Sequence, residues 1–180
     1  MIYFDTAYVV KCYVPEPGAA EVRRLAGEAG RIACCTFGRA ELAAALHRQR
    51  REGRLTPAAA RAIVSQIRLD DQRRVIHWLP LTDDLCRKVS LALDALPADA
   101  FVRAGDAIHL VCAREAGFAD VYSSDRHLLA AASFFGLVGR NVLAQHGDVA
   151  PAVQRTSRTT PGRSSTGPSK PDSSRGESLV

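Results

Sequence analysis

A three-layer α/β/α sandwich around a central, mainly parallel sheet is the fold this sequence predicts, and three observations predict it. Short apolar runs at residues 2–4, 31–35, 75–81, 120–124 and 137–142 alternate along the chain with longer amphipathic stretches. Several of these runs lack the apolar–polar alternation of a sheet with one wet face, so they read as strands covered on both sides. Acids, finally, stand where strands end or helices begin, in segments that otherwise carry little charge.

The elements follow in order. Ile2 to Phe4 is a continuous apolar run that stops at Asp5-Thr6. A helix over Ala7 to Tyr13 comes next, ended by Val14-Pro15-Glu16-Pro17-Gly18, because proline disfavours the helical region for the residue before it. Ala19 to Ala29 forms an amphipathic helix with Val22, Leu25 and Ala26 inward and Arg23 and Arg24 outward, closed by Gly30. Arg31 to Cys35 is the second strand, and Thr36 is the expected N-cap of a helix over 37–53. That helix turns Leu42, Ala45 and Leu46 to a core, while Arg48, Arg50, Arg51 and Arg54 crowd its far end. Thr56-Pro57 opens another helix, with Thr at the cap and Pro at the first helical position, running to about Arg74 as the second arm of an antiparallel hairpin.

Val75 to Leu81 is the third strand, and Thr82-Asp83-Asp84 caps a helix that runs to Leu96. A loop at Pro97-Ala98-Asp99 leads to a helix over 104–116, which Gly117 closes. Asp120 to Ser124 is the fourth strand, 125–136 a helix, and Leu137 to Val142 a last short strand. Alternating strands and helices favour parallel pairing with helices on both faces.

Residues 1–146 have the length of one domain with one core. Residues 147–180 read as a disordered basic tail rich in Ser, Pro and Arg, with too little apolar surface to offset the entropy of ordering. The net charge is +5, but from Pro151 onward five Arg or Lys stand against two acids, so the high pI says little about the folded surface. A solvated terminus is the plainer reading of the tail. Five cysteines, odd in number and without C-x-x-C spacing, read as reduced core residues of a cytoplasmic protein, not as a zinc site or disulfide frame. Asp5 and Lys11 interrupt the N-terminal apolar stretch, which argues against a signal peptide, and no run approaches the roughly 18 apolar residues of a membrane span.

Open parallel sheets carry their ligand sites beyond the carboxyl ends of the strands. Asp5 ends the first strand, Glu41 lies in the first turns of the helix after the second, Asp106 opens the helix before the fourth, and Asp125 directly follows the fourth. All four can reach one cleft. Two carboxylates about 4 Å apart repel by roughly 4 kcal/mol at an effective dielectric near 20, and a hard divalent cation reverses that sign. The expected ion is therefore Mg²⁺, with Mn²⁺ as the alternative. Asp106 and His109 are the polar exceptions on an apolar helix, three residues apart and on neighbouring parts of one face.

Each acid also has a structural reading. Asp5 and Asp125 suit helix N-caps, Glu41 a solvent-facing helix position, and Asp106 a first-turn acid that offsets the helix dipole. Four coincidences at one sheet edge are the stronger pattern. His109 reads as a satisfied core histidine, and His47, His77, His127 and His146 lack metal-ligand spacing. The Arg48, Arg50, Arg51 and Arg54 run reads first as a solvated helix face and second as an RNA contact.

Four segments, MIYFDTAYVVKCYVPE, TFGRAELAAAL, RAGDAIHLVCAREAG and VYSSDRHLL, resemble in order the four motif blocks of PIN-domain ribonucleases, specifically VapC-type toxins, over residues 1–142. The resemblance implies a PIN-like fold and a Mg²⁺-dependent endoribonuclease, the toxic component of a type II toxin–antitoxin module, that leaves a 5′-phosphate and a 3′-hydroxyl. It implies that Asp5, Asp106 and Asp125 hold the metal, that Glu41 completes the catalytic set or helps to activate water, and that Thr6 and Ser123 support them. The implied partners are an RNA substrate, a VapB-like antitoxin and a second copy of the chain as a homodimer, with no membrane. Ala7-Tyr8 stands where the family more usually has Ser-Ala, which turns attention to substrate access near Tyr8. Two other readings are a PIN nuclease of RNA processing without an antitoxin, and a catalytically silent PIN-like protein whose acids dock a basic peptide.

Overall fold

The computed structural model describes residues 1–143. Five short strands build the sheet: β1 (Ile2–Phe4), β2 (Ile32–Cys35), β3 (Ile76–Leu79), β4 (Asp120–Tyr122) and β5 (Val138–Arg140). Their order is β3-β2-β1-β4-β5, and every neighbouring pair is parallel. The helices are α1 (Thr6–Tyr13), α2 (Ala19–Ala29), α3 (Phe37–Arg51), α4 (Pro57–Gln72), α5 (Asp83–Asp94), α6 (Ala104–Glu115) and α7 (Arg126–Ala131). This is the expected three-layer arrangement, with the sheet wholly parallel. The assignment of 147–180 to a tail lies outside the described residues.

The two-residue period of the strands divides the core between two faces. Tyr3, Ala33, Cys35 and Val121 pack under α5, α6 and α7. Phe4, Ile32, Cys34 and Ile76 point the other way, against α1, α2, α3 and α4. Tyr3 pairs with Ala33 on one side and Val121 on the other, so β1 is the middle strand. Burial of side chains such as Phe4, Val9 and Leu110 contributes roughly 1.5–3 kcal/mol each, which fixes β1 between its two helical layers.

Several boundaries shift for identifiable reasons. β3 stops at Leu79 because Pro80 has no amide to give to a ladder. The helix expected over 125–136 is α-helical only from Arg126 to Ala131, then tightens to a 3₁₀ turn over Ala132–Phe135 closed by Gly136 at φ 72°. Thr36 is not the side-chain cap expected for α3. Its backbone is already helical (φ −59°, ψ −22°), and its hydroxyl accepts instead from the Leu81 amide at 2.8 Å, which ties α3 to the end of β3. Thr56 and Thr82 do cap, accepting from Ala59 N–H and Leu85 N–H at 3.1 Å each.

Of the cysteines, Cys34, Cys35 and Cys112 are buried and unpaired as expected, but Cys86 is exposed on the outer face of α5. Among the described residues no helix is long and apolar enough to cross a membrane.

Candidate functional site

The strand order reverses at β1: the chain proceeds outward to β2 and β3, then returns to place β4 on the other side of β1. Such a switch point opens a crevice at the carboxyl ends of the two diverging strands. Asp5 follows β1 and Asp125 stands just beyond β4, so the crevice has an acid on each bank. Glu41 reaches it from α3 on one face of the sheet, and Asp106 from α6 on the other. All four line one cleft of about 700 Å³, together with Thr6, Arg48, Arg51, Arg103 and His109.

Asp5 and Asp125 are also N-caps, so their structural and site readings hold together. Asp5 Oδ1 accepts from the Tyr8 amide at 3.1 Å and starts α1. Asp125 Oδ1 accepts from the His127 amide at 2.8 Å and starts α7. Ser123 links the two, donating its hydroxyl to Asp5 Oδ2 at 2.6 Å and accepting from the Asp125 amide at 2.8 Å. Ser123 is fully buried, and its one hydroxyl holds the Asp5 carboxylate and the backbone from which Asp125 projects.

Glu41 is not a solvated helix residue. The Thr6 hydroxyl donates to its Oε2 at 2.5 Å, and His109 Nε2 reaches the same oxygen at 2.8 Å. His109, 2% exposed, is the satisfied core histidine expected, but its partners belong to the site: Nδ1 meets the Tyr3 hydroxyl at 3.0 Å. That hydroxyl in turn accepts from the Cys35 amide at 3.2 Å, so a polar line runs from the sheet to the cleft. Burial alone would lower the His109 pKa, but its bonds with Cys34 and Glu41 outweigh that and raise it well above the ordinary histidine value. An imidazolium donates at both nitrogens, which matches an acceptor at each end. Burial would likewise raise Glu41, yet the bonds from His109 and Thr6 hold its carboxyl below the ordinary value.

Glycine lets these pieces approach. A Cβ at residue 38 would stand 2.7 Å from Cys34 Sγ and 2.9 Å from Thr6 Oγ1, so α3 can lie this close to α1 and β2 only without one. At residue 105 a Cβ would meet Glu41 Oε1 at 3.2 Å, where the start of α6 passes α3.

Asp106 and Asp125 are shared by one guanidinium. Arg103 Nε donates to Asp106 Oδ2 at 2.8 Å, and its terminal nitrogen donates to Asp125 Oδ2. Burial pushes Asp125 up, but the bonds from Arg103 and the capped amides bring its carboxyl below the ordinary value. Asp5 is 5% exposed, and burial pushes its carboxyl up to about 6 against the opposing charge of His109 and the Ser123 hydrogen bond.

The donor set suits a hard divalent cation: carboxylate oxygens from four elements, one of them a buried acid whose burial outweighs the nearby His109 charge. Among the described residues, however, no three acids, histidines or cysteines are already gathered into a cage, because Arg103 and His109 divide the acids between them.

Arg103, Tyr3 and the joining role of His109 were not legible in the sequence. Arg103 does stand three residues before Asp106, a spacing that puts the two on neighbouring parts of a helix face. The arginine run divides: Arg48 and Arg51 line the acid cleft, Arg50 turns to a groove between α3 and α4, and Arg54 pairs with Glu52. Tyr8 does not guard the cleft, since it is fully buried with its hydroxyl donating to Asn141 Oδ1 at 3.0 Å. The cleft wall there is Ala7.

The family model described as PIN domain matches residues 2–133. VapC20 of Mycobacterium tuberculosis, a Sarcin-Ricin loop cleaving toxin, has the same fold, with a TM-score of 0.57 at 22% identity over 73% of this chain and 95% of that one. VapBC2 from Rickettsia felis, solved bound to a DNA fragment from their promoter, gives a TM-score of 0.54 at 14% identity over 78% of this chain and 98% of that one. Among curated proteins, none matches the sequence.

Proposed function

The chain belongs to the PIN domain family, and from that membership we propose that it is a Mg²⁺-dependent endoribonuclease, the toxic component of a type II toxin–antitoxin module. The observation that carries the proposal is the meeting of Asp5, Glu41, Asp106 and Asp125 in one cleft at the switch point of the sheet. The ribonuclease and toxin character is supported by the fold shared with a Sarcin-Ricin loop cleaving toxin.

Asp5, Asp106 and Asp125 are the residues that would hold the ion, with Glu41 completing the set. Bound there, Mg²⁺ or Mn²⁺ supplies Lewis acidity and charge neutralisation for hydrolysis of a phosphodiester. The chain's own groups do the rest. Ser123 holds the Asp5 carboxylate with its hydroxyl proton and anchors the Asp125 backbone beside it by accepting that residue's amide. Thr6 and His109 hold Glu41 Oε2, which leaves Oε1, beside Gly105 at the start of α6, as the proton acceptor for an attacking water. Arg48 and Arg51 put positive charge on the wall of the same cleft, where the nucleic-acid backbone would otherwise be repelled by four acids.

The fold shared with VapBC2 supports a VapB-like antitoxin as partner, and a homodimer is the assembly that the family resemblance implies. Purified full-length protein should cut total RNA in Mg²⁺ and not in EDTA, with 5′-phosphate ends at the mapped sites. Asp106→Asn should abolish the cuts. Cleavage that survives both EDTA and Asp106→Asn overturns the proposal.

A further inference from the structure

Arg103 occupies a position where a cation is electrostatically wrong for its helix. It is the N-cap of α6, whose dipole is positive at that end, and its side chain makes no cap bond. Ser, Thr, Asp or Asn at that place would satisfy an amide, whereas arginine satisfies none. What the guanidinium does instead is span two carboxylates from different elements, Asp106 on α6 and Asp125 before α7. Its second contact to Asp106 is longer, 3.4 Å to Oδ1, so the stronger bonds fall on one oxygen of each acid, Oδ2. Asp125 Oδ1 is already committed to the His127 amide. A cation that uses Asp106 and Asp125 together therefore meets Arg103 at the same oxygens.

The two pairs of acids differ in this respect. Glu41 is held by the Thr6 hydroxyl and by the buried His109, which leave its other oxygen open. Arg103 is half-exposed, with 48% of its side chain accessible, so it can swing into water without disturbing the core. We propose that Arg103 is the resident counter-ion of the Asp106–Asp125 pair and competes with the divalent cation for it, so that metal loading requires its withdrawal. The proposal rests on the reading that these acids hold a divalent cation. Its consequence is a raised threshold for loading: the pair is neutralised and held in place when cation is scarce, at the expense of affinity when cation is present.

Mn²⁺ titrated by calorimetry into EDTA-stripped full-length protein, without RNA, tests this on wild type, Arg103→Gln, Arg103→Lys and an Asp106→Asn control. Removing a competing unit charge a few ångströms from the ion should tighten Mn²⁺ binding by roughly tenfold in Arg103→Gln. Arg103→Lys should fall between, since an ammonium is a point charge that cannot span both acids as a fork. Equal or weaker binding by Arg103→Gln, with wild type and Arg103→Lys alike, overturns the competition and leaves the cation site standing. No binding by wild type overturns the cation site and the competition with it. Thermal midpoints add an independent reading: Arg103→Gln should melt lower than wild type in EDTA, and the gap should close in saturating Mn²⁺. A gap of the same size in both means Arg103 only braces α6, and the proposal fails.

Discussion

Asp5→Asn should make the metal-free protein more stable at neutral pH while abolishing its cleavage of RNA. The Asp5 carboxyl ionises at about 6 in the fold against an ordinary 3.8, chiefly because burial penalises its charge. At roughly 1.36 kcal/mol per unit of pKa, this shift corresponds to about 3 kcal/mol of folding stability. The sign follows from proton uptake. Between pH 4 and 6 the folded chain keeps a proton on Asp5 that the unfolded chain has lost, so stability falls as pH rises through that window and stays low above it. Asparagine carries no charge and removes the penalty. It keeps one oxygen for the Tyr8 amide but replaces the acceptor of the Ser123 hydroxyl, a loss of about 1–2 kcal/mol. The net gain at pH 7.5 in EDTA is thus about 1–2 kcal/mol, or roughly 3–8 °C in thermal midpoint. Glu41 and Asp125, whose carboxyls are held below their ordinary values, pull the pH profile the other way, so the informative quantity is the difference between the two proteins. Urea melts at pH 4, 5, 6 and 7.5 measure it directly. A variant that is less stable than wild type at pH 7.5, with a difference that does not change from pH 4 to 6, would refute the claim that burial of Asp5 outweighs its compensating charge and hydrogen bonds.

Gly38→Ala places a methyl 2.7 Å from Cys34 Sγ and 2.9 Å from Thr6 Oγ1, and overpacking of this kind should cost about 1–3 kcal/mol in chemical melts along with much of the activity. Ser123→Ala removes the hydroxyl that joins Asp5 and Asp125, and calorimetry should show Mn²⁺ affinity reduced about 10–100-fold with the fold retained. His109→Gln keeps a donor for Glu41 but not its charge; kcat should fall about 10–100-fold with KM for RNA little changed, and an unchanged kcat excludes a positioning role. Arg48→Gln with Arg51→Gln should weaken RNA binding and lower the slope of log affinity against log salt by about one per residue, read by filter binding across a salt series.

Much of this site is local in origin, and to that extent the sequence carries it. A carboxylate at the end of a buried strand is placed by the strand, and its capping of the next helix is settled within three residues; hence Asp5 and Asp125 can be read without coordinates. Glu41 follows because the helix that leaves a strand starts at that strand's carboxyl edge, and Asp106 because the helix that feeds the next parallel strand must start there to end at the opposite edge. The exceptions are equally physical. Thr36 has the composition of a cap, but capping also depends on backbone angles, and its hydroxyl was drawn to the amide of Leu81, just past β3 and 45 residues away. Tyr8 is next to the cleft in sequence, yet the helical period turns it into the core beside Phe4.

The sequence by itself pointed to the three layers, a mainly parallel sheet and four acids at strand ends and helix starts, since each depends on spacing and periodicity along the chain. Only the tertiary structure decided how those acids are shared. His109 with Glu41 and Arg103 with Asp125 join residues 68 and 22 positions apart, and the choice of partner rests on rotamers and distances that exist only once α3, α6 and α7 are packed around the same strand ends.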